Sequence, residues 1–140
     1  MLEKQFRKYF SLAEKRDGIA GENLLSILES RLDNVIFRLG LADTRRQARQ
    51  IVTHGHVLVN GKRVDIPSYL VSVGEVVSLK ESVANADWMK DIVERNASRA
   101  VPQWLSMDKN TLSATVAAHA KREDIDYEIN ETLIVELYSK

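Results

Sequence analysis

Cysteine is absent from the sequence. That excludes a disulfide scaffold, a thiolate zinc site and cysteine-based catalysis together, and it fits a reducing compartment. Long apolar runs are missing too. No stretch approaches the ~18 apolar residues of a membrane helix, so no membrane partner is expected. The N-terminus, with Glu3, Lys4, Arg7 and Lys8 among its first residues, shows no apolar signal-peptide core. An excess of charge of either sign is also lacking, since 20 Lys and Arg oppose 20 Asp and Glu. Taken as a total, that balance argues against a polyanionic partner, which needs a basic surface. What is present is an apolar share of 44% in 140 residues, enough to build the core of one domain or two small ones and to exclude intrinsic disorder.

The zero charge is a cancellation. Residues 1–30 hold five basic and five acidic side chains. Residues 31–63 hold Arg31, Arg38, Arg45, Arg46, Arg49, Lys62 and Arg63 against only Asp33 and Asp43, a local net charge of +5. Residues 64–140 carry eight basic and thirteen acidic side chains, a net −5. A basic module beside an acidic remainder points to a polyanionic partner after all.

Periodicity divides the chain. Phe6, Tyr9, Phe10 and Ala13 recur at helical spacing, and Leu24, Leu28, Leu32, Val35, Ile36 and Leu39 keep a helical register up to Gly40, with a break allowed at Ser30 to Asp33. Thr44 followed by Gln47 has the form of a capping box, and Ala48, Ile51 and Val52 then line one face of a short helix that ends at Gly55. At ~100° per residue, Arg45, Arg46 and Arg49 share an arc facing away from that apolar side. Val57 and Val59, then Val64 and Ile66, alternate around Asn60-Gly61, the signature of a two-residue type I′ hairpin, which puts Lys62 and Arg63 at or just inside its tip. Val76 to Leu79 reads as a third strand after Gly74. Trp88, Met89, Ile92 and Val93 restore a helical period before Pro102, and the two tryptophans, Trp88 and Trp104, are expected in core or interdomain packing. Thr111 to Ala118 is apolar without clear period. Asn130 begins a closing segment through Leu133, Ile134, Leu137 and Tyr138, helix or strand.

Two helices and a hairpin-led sheet, with arginine on the second helix and more base at the hairpin, make a surface for a nucleic-acid backbone; the planar guanidinium fork suits phosphate oxygens and stacks on bases. The run Ser30-Arg31-Leu32-Asp33-Asn34-Val35-Ile36-Phe37-Arg38-Leu39-Gly40, continuing through Arg45-Arg46-Gln47-Ala48-Arg49-Gln50 to Gly55-His56-Val57-Leu58-Val59-Asn60-Gly61-Lys62, resembles the RNA-binding domain named after the fourth protein of the small ribosomal subunit. The flanks Glu3 to Phe10, Gly21 to Leu25, Val101 to Leu105, Arg122 to Asp126 and Asn130 to Lys140 resemble the bacterial family of that ribosomal protein, so the likeness covers nearly the whole chain. It implies an α+β fold in which a discontinuous helical domain, residues 1–30 and 81–140, carries an inserted RNA-binding domain of helices and a small antiparallel sheet, residues 31–80. It also implies a structural, non-enzymatic component of the cytoplasmic ribosome that binds small-subunit ribosomal RNA early, nucleates assembly and influences decoding accuracy. The implied partners are that RNA, neighbouring small-subunit proteins, especially the fifth, and messenger RNA on its way into the subunit. The family's N-terminal arm, often bearing zinc-holding cysteines, has no counterpart before Met1, so a truncated member is expected.

The candidate RNA contacts are Arg45, Arg46 and Arg49 on the helix, with Gln50 beside them; Lys62 and Arg63 on the hairpin; Arg31 and Arg38, each of which has Asp33 or Asp43 as a competing partner; His56; and Lys4, Arg7 and Lys8 as a second patch. His54 and His56 flank Gly55 but have no third ligand, so no metal is assigned to them. The acidic run Glu123, Asp124, Asp126 and Glu128 lacks the glycine and spacing of a calcium loop. No cofactor is expected, and no phosphate loop, nucleophile elbow or carboxylate pair supports catalysis. An RNA-modifying enzyme carrying the same module is a second reading, although the 60 residues after it are too few for a catalytic domain. A module whose acidic half docks on basic proteins is a third.

Overall fold

The computed structural model describes residues 7–9, 11–12 and 20–118. It divides into two compact units, Met1–Glu29 with Ala120–Lys140, and Ser30–His119. In the first unit, residues 7–9 and 11–12 are helical, and α1 spans Ala20–Glu29. Tyr9, Leu24, Leu25 and Ile27 are buried.

The second unit begins where the long helical pattern breaks. Arg31 is extended (φ −62°, ψ 141°), and its neighbours bond to a distant loop: Val71 N–H donates to Ser30 O at 3.0 Å and Leu32 N–H to Tyr69 O at 2.8 Å. Helix α2, Leu32–Arg38, then buries Leu32, Val35 and Ile36, the i, i+3, i+4 set that makes one helical face. Helix α3, Arg45–Thr53, buries Ala48, Ile51 and Val52 and packs on α2. Each such aliphatic side chain contributes about 1.5–3 kcal/mol when taken fully out of water.

Strand β1, Val57–Val59, turns at Asn60 (φ 52°) and Gly61 (φ 80°) into the two-residue β2, Lys62–Arg63, with Val59 opposite Lys62. Positive φ at both central residues is the I′ geometry read from the Asn-Gly pair. Asn60 Oδ1 also accepts a hydrogen bond from Val76 N–H at 2.8 Å, fastening the turn to the next strand. That strand, β3 at Val76–Leu79, runs antiparallel to β1. Helices α4, Glu81–Ala84, and α5, Asp87–Arg95, follow, and then β4, Leu105–Asp108, and β5, Ser113–Val116, form a hairpin. Because β5 pairs with β3, the result is one antiparallel sheet in the order β2-β1-β3-β5-β4. Val57, Val59, Val77, Leu79, Leu105, Ala114 and Val116 are its buried residues.

The α+β class and the antiparallel sheet agree with the sequence reading, while the extent of the sheet differs. Residues 81–119 were expected with the helical domain. Here they belong with the sheet, because Val76 pairs with Thr115 and Val77 with Ala114. The apolar stretch from Thr111 thus supplies β5, an inner strand between β3 and β4. The closing segment from Asn130, the acidic run from Glu123 and the start of the N-terminal helix lie outside the described residues.

Candidate nucleic-acid interface

Helix α3 is held at both ends by local chemistry. Thr44 Oγ1 accepts from Gln47 N–H at 3.0 Å, and Gln47 Oε1 accepts in return from Asp43 N–H at 2.6 Å, one residue before the box predicts. At the other end Gly55 N–H bonds to Val52 O and His56 N–H to Ile51 O, the paired bonds of a Schellman stop with Gly55 at φ 76°. With one side of α3 buried, its outer side forms a shallow groove of about 490 Å³ lined by Thr44, Arg46, Gln47, Arg49, Gln50 and Thr53.

The acids that offset the module's charge are both occupied. Arg31 closes on Asp33 at 3.0 Å, and Asp43 takes Arg95 at 2.8 Å and Asn96 Nδ2 at 2.8 Å. The hydrogen bond from Arg95, then that from Asn96, holds the Asp43 carboxyl below the usual carboxylate range. Arg99 completes this junction by donating to Phe37 O at 2.7 Å and Ala42 O at 3.0 Å. The loop between α2 and α3 is thereby bound to the end of α5.

Five cations are exposed on α3 and the adjoining hairpin. Arg46 and Arg49 have no hydrogen-bond or ion-pair partner among the described residues. Arg45 is exposed but directed, with its Nε donating to Asn34 Oδ1 at 3.2 Å and its guanidinium 4.5 Å from the Phe37 ring centroid; Arg99 sits 4.3 Å from the same ring. Lys62 is exposed on β2. Arg63 makes only a loose exposed pair with Asp65 at 3.5 Å, and its guanidinium lies against Gly55, so the hairpin is joined to the end of α3. Gln50 lies on the same outer face of α3, exposed.

Not every expected contact falls on this surface. Arg31 and Arg38 are each only 7% exposed, so in this chain they are interior groups rather than members of the basic face. Arg7 and Lys8 are exposed on the helical stretch of the first unit, and Lys4 lies outside the described residues. His56 is half-buried, with burial and then the nearby His54, Lys80 and Arg63 holding its pKa below the ordinary histidine value. The expectation for the tryptophans splits: Trp104 is core at 2% exposure, but Trp88 is 44% exposed, its ring 5.7 Å from that of His56. Sequence reasoning missed Phe37 as the support for Arg45 and Lys80 as a neighbour of His56; neither carries a local signal, because both roles depend on contacts across the fold.

Known proteins are similar to this chain in sequence. The family described as the S4 domain matches residues 30–77, and the N-terminal domain of ribosomal proteins S4 and S9 matches residues 1–29. Over all 140 residues the chain is 59% identical to small ribosomal subunit protein uS4 of Acetivibrio thermocellus and 54% identical to that of Halothermothrix orenii, spanning 67% of each. It is 56% identical to the uS4 protein of Agathobacter rectalis, spanning 71% of it. Identity of this order in matches that span the whole chain leaves one assignment: the chain belongs to the family of small ribosomal subunit protein uS4.

Proposed function

We propose that this chain is an RNA-binding structural constituent of the small ribosomal subunit, gripping ribosomal RNA through Arg45, Arg46, Arg49, Lys62 and Arg63, with Gln50 and His56 alongside. The observation that carries this reading is the disposition of charge: the module's two acids are spent on Arg31 and Arg95, while five cations face outward on one helix and the adjoining hairpin. Cations on such a surface displace the counterions condensed on RNA phosphates, and folded RNA is recognised mainly by its shape and backbone. Exposed Arg7 and Lys8, with Lys4, supply a second basic patch. Family membership supports the finer parts of the reading. These are early binding that nucleates subunit assembly, contact with neighbouring proteins such as the fifth of the small subunit, proximity to incoming messenger RNA, and an influence on decoding accuracy on the cytoplasmic ribosome. Catalysis has no part in this role.

The test is charge reversal. Full phosphate contact by five cations gives a slope of log affinity against log salt of about −3.5 to −4.5. Arg45→Glu, Arg46→Glu and Arg49→Glu together abolish retention of small-subunit ribosomal RNA on filters and leave the circular dichroism spectrum intact. Unchanged affinity with unchanged salt slope refutes the surface.

A further inference from the structure

Trp88 stands apart from the core its sequence period predicts. Helix α5 is anchored by Met89 and Ile92, at 0% and 2% exposure, which leaves the indole of Trp88 44% exposed. Its ring centroid is 5.7 Å from that of His56 at an interplanar angle of 52°, and His56 in turn meets His54 edge-on at 5.9 Å. The backbone holds this group in place: His56 N–H closes the end of α3, and Lys80 N–H donates to His56 O at 3.0 Å. The charged groups bearing on the His56 ring are His54, Lys80 and Arg63, all basic. Arg63 is also the residue that rests on Gly55, so the rings continue the phosphate-binding surface rather than form a separate patch.

We propose that Trp88, backed by His56, is a stacking site for an unpaired base of the bound RNA. This rests on the RNA-binding role above. An exposed indole set against a histidine that Lys80 and Arg63 flank matches what a single-stranded nucleotide offers, a π-face on one side and a phosphate on the other. A lone ring of this kind is too small to be the core of a protein–protein interface, which needs a contiguous apolar patch. Asp87 and Asp91 are exposed beside Trp88 on α5, so the phosphate of such a nucleotide is better held on the Arg63 and Lys80 side, with the indole left to the base.

The chain has two tryptophans and Trp104 is buried, so a change in exposed indole emission reports Trp88. Titrating the chain with small-subunit ribosomal RNA, and following filter retention and tryptophan emission together against Trp88→Phe as the reference, should quench the wild-type emission specifically. Base–aromatic stacking is worth about 1–3 kcal/mol per base, so Trp88→Ala should weaken binding by roughly 5- to 150-fold. A stacked base releases no counterion, so the salt slope should stay at its wild-type value, and Trp88→Phe should recover most of the affinity. Trp88→Leu replaces W88A should the latter lose helical signal. Retention at wild-type affinity in the ring-less variants, with no quenching in the wild type, overturns the stacking site and leaves the RNA-binding role standing. A wild-type chain that retains no RNA overturns both.

Discussion

Gly55 joins the basic helix to the basic hairpin, and replacing it with alanine tests whether that junction positions a binding group. Two separable penalties follow from the structure. At φ +76° an added Cβ meets the strain of the left-handed region, roughly 1–2 kcal/mol for a residue other than glycine. The same Cβ would also lie within 2.6 Å of Arg63 Nη2, closer than van der Waals contact permits, so the guanidinium must leave Gly55. Since the Arg63 side chain is 56% exposed and its only acid is 3.5 Å away, the displacement itself adds little to the stability loss. Gly55→Ala should therefore lower the melting temperature by about 4–8 °C for each kcal/mol, the scale for a unit of this size. Gly74→Ala is the control: its φ is +92° but a Cβ there meets nothing within 4 Å. Both variants should lose stability, and only Gly55→Ala should lose affinity for small-subunit ribosomal RNA beyond that, measured well below both melting temperatures. Equal RNA affinities in the two variants would refute the idea that Gly55 places Arg63.

Other outcomes follow from the same geometry. Arg46→Ala with Arg49→Ala removes two cations that nothing in the described fold uses, so the melting temperature should hold. The salt slope should flatten by about 1.4–1.8, which narrows the affinity gap to wild type about tenfold between 50 and 200 mM salt, as filter binding would show. Phe37→Leu takes away the ring under Arg45; ordering a rotamer-rich side chain on binding costs about 0.5–1.5 kcal/mol, so RNA affinity should fall roughly 2- to 12-fold, with recovery in Phe37→Tyr. Asp43 has its pKa depressed below 3.8, so its stabilisation is present above that pH and is lost as pH falls through the lowered value; Asp43→Asn should flatten that part of an acid-unfolding curve.

What the sequence discloses is what neighbouring residues decide among themselves. Thr44 with Gln47, Asn60 with Gly61 and Gly55 each define a local backbone geometry, and the arginine face of α3 follows from the cap and the helical period alone. Partners distant in sequence are invisible to such patterns. Arg38 is buried although nothing in its own heptad says so, and Asp43 is claimed by Arg95, fifty-two residues on. Trp88 joins Met89, Ile92 and Val93 in one periodic set, yet a helix of nine residues buries a narrower stripe, and the widest side chain is left at its margin. The alternation in Leu105 to Asp108 and Ser113 to Val116 spans four residues each, too short to announce strands without β3 to receive them.

The place of β2 in the sheet has a consequence for the behaviour of the chain in solution. It is an edge strand of two residues, Lys62 and Arg63, both exposed. Short edges bearing charge discourage a second sheet from pairing there. The side chains proposed to face RNA thus also guard the molecule against edge-to-edge aggregation when RNA is absent. Apolar replacements at these positions remove both protections at once and invite self-association that mimics loss of binding. Glutamate keeps the edge charged and repels phosphate, and so separates the two roles.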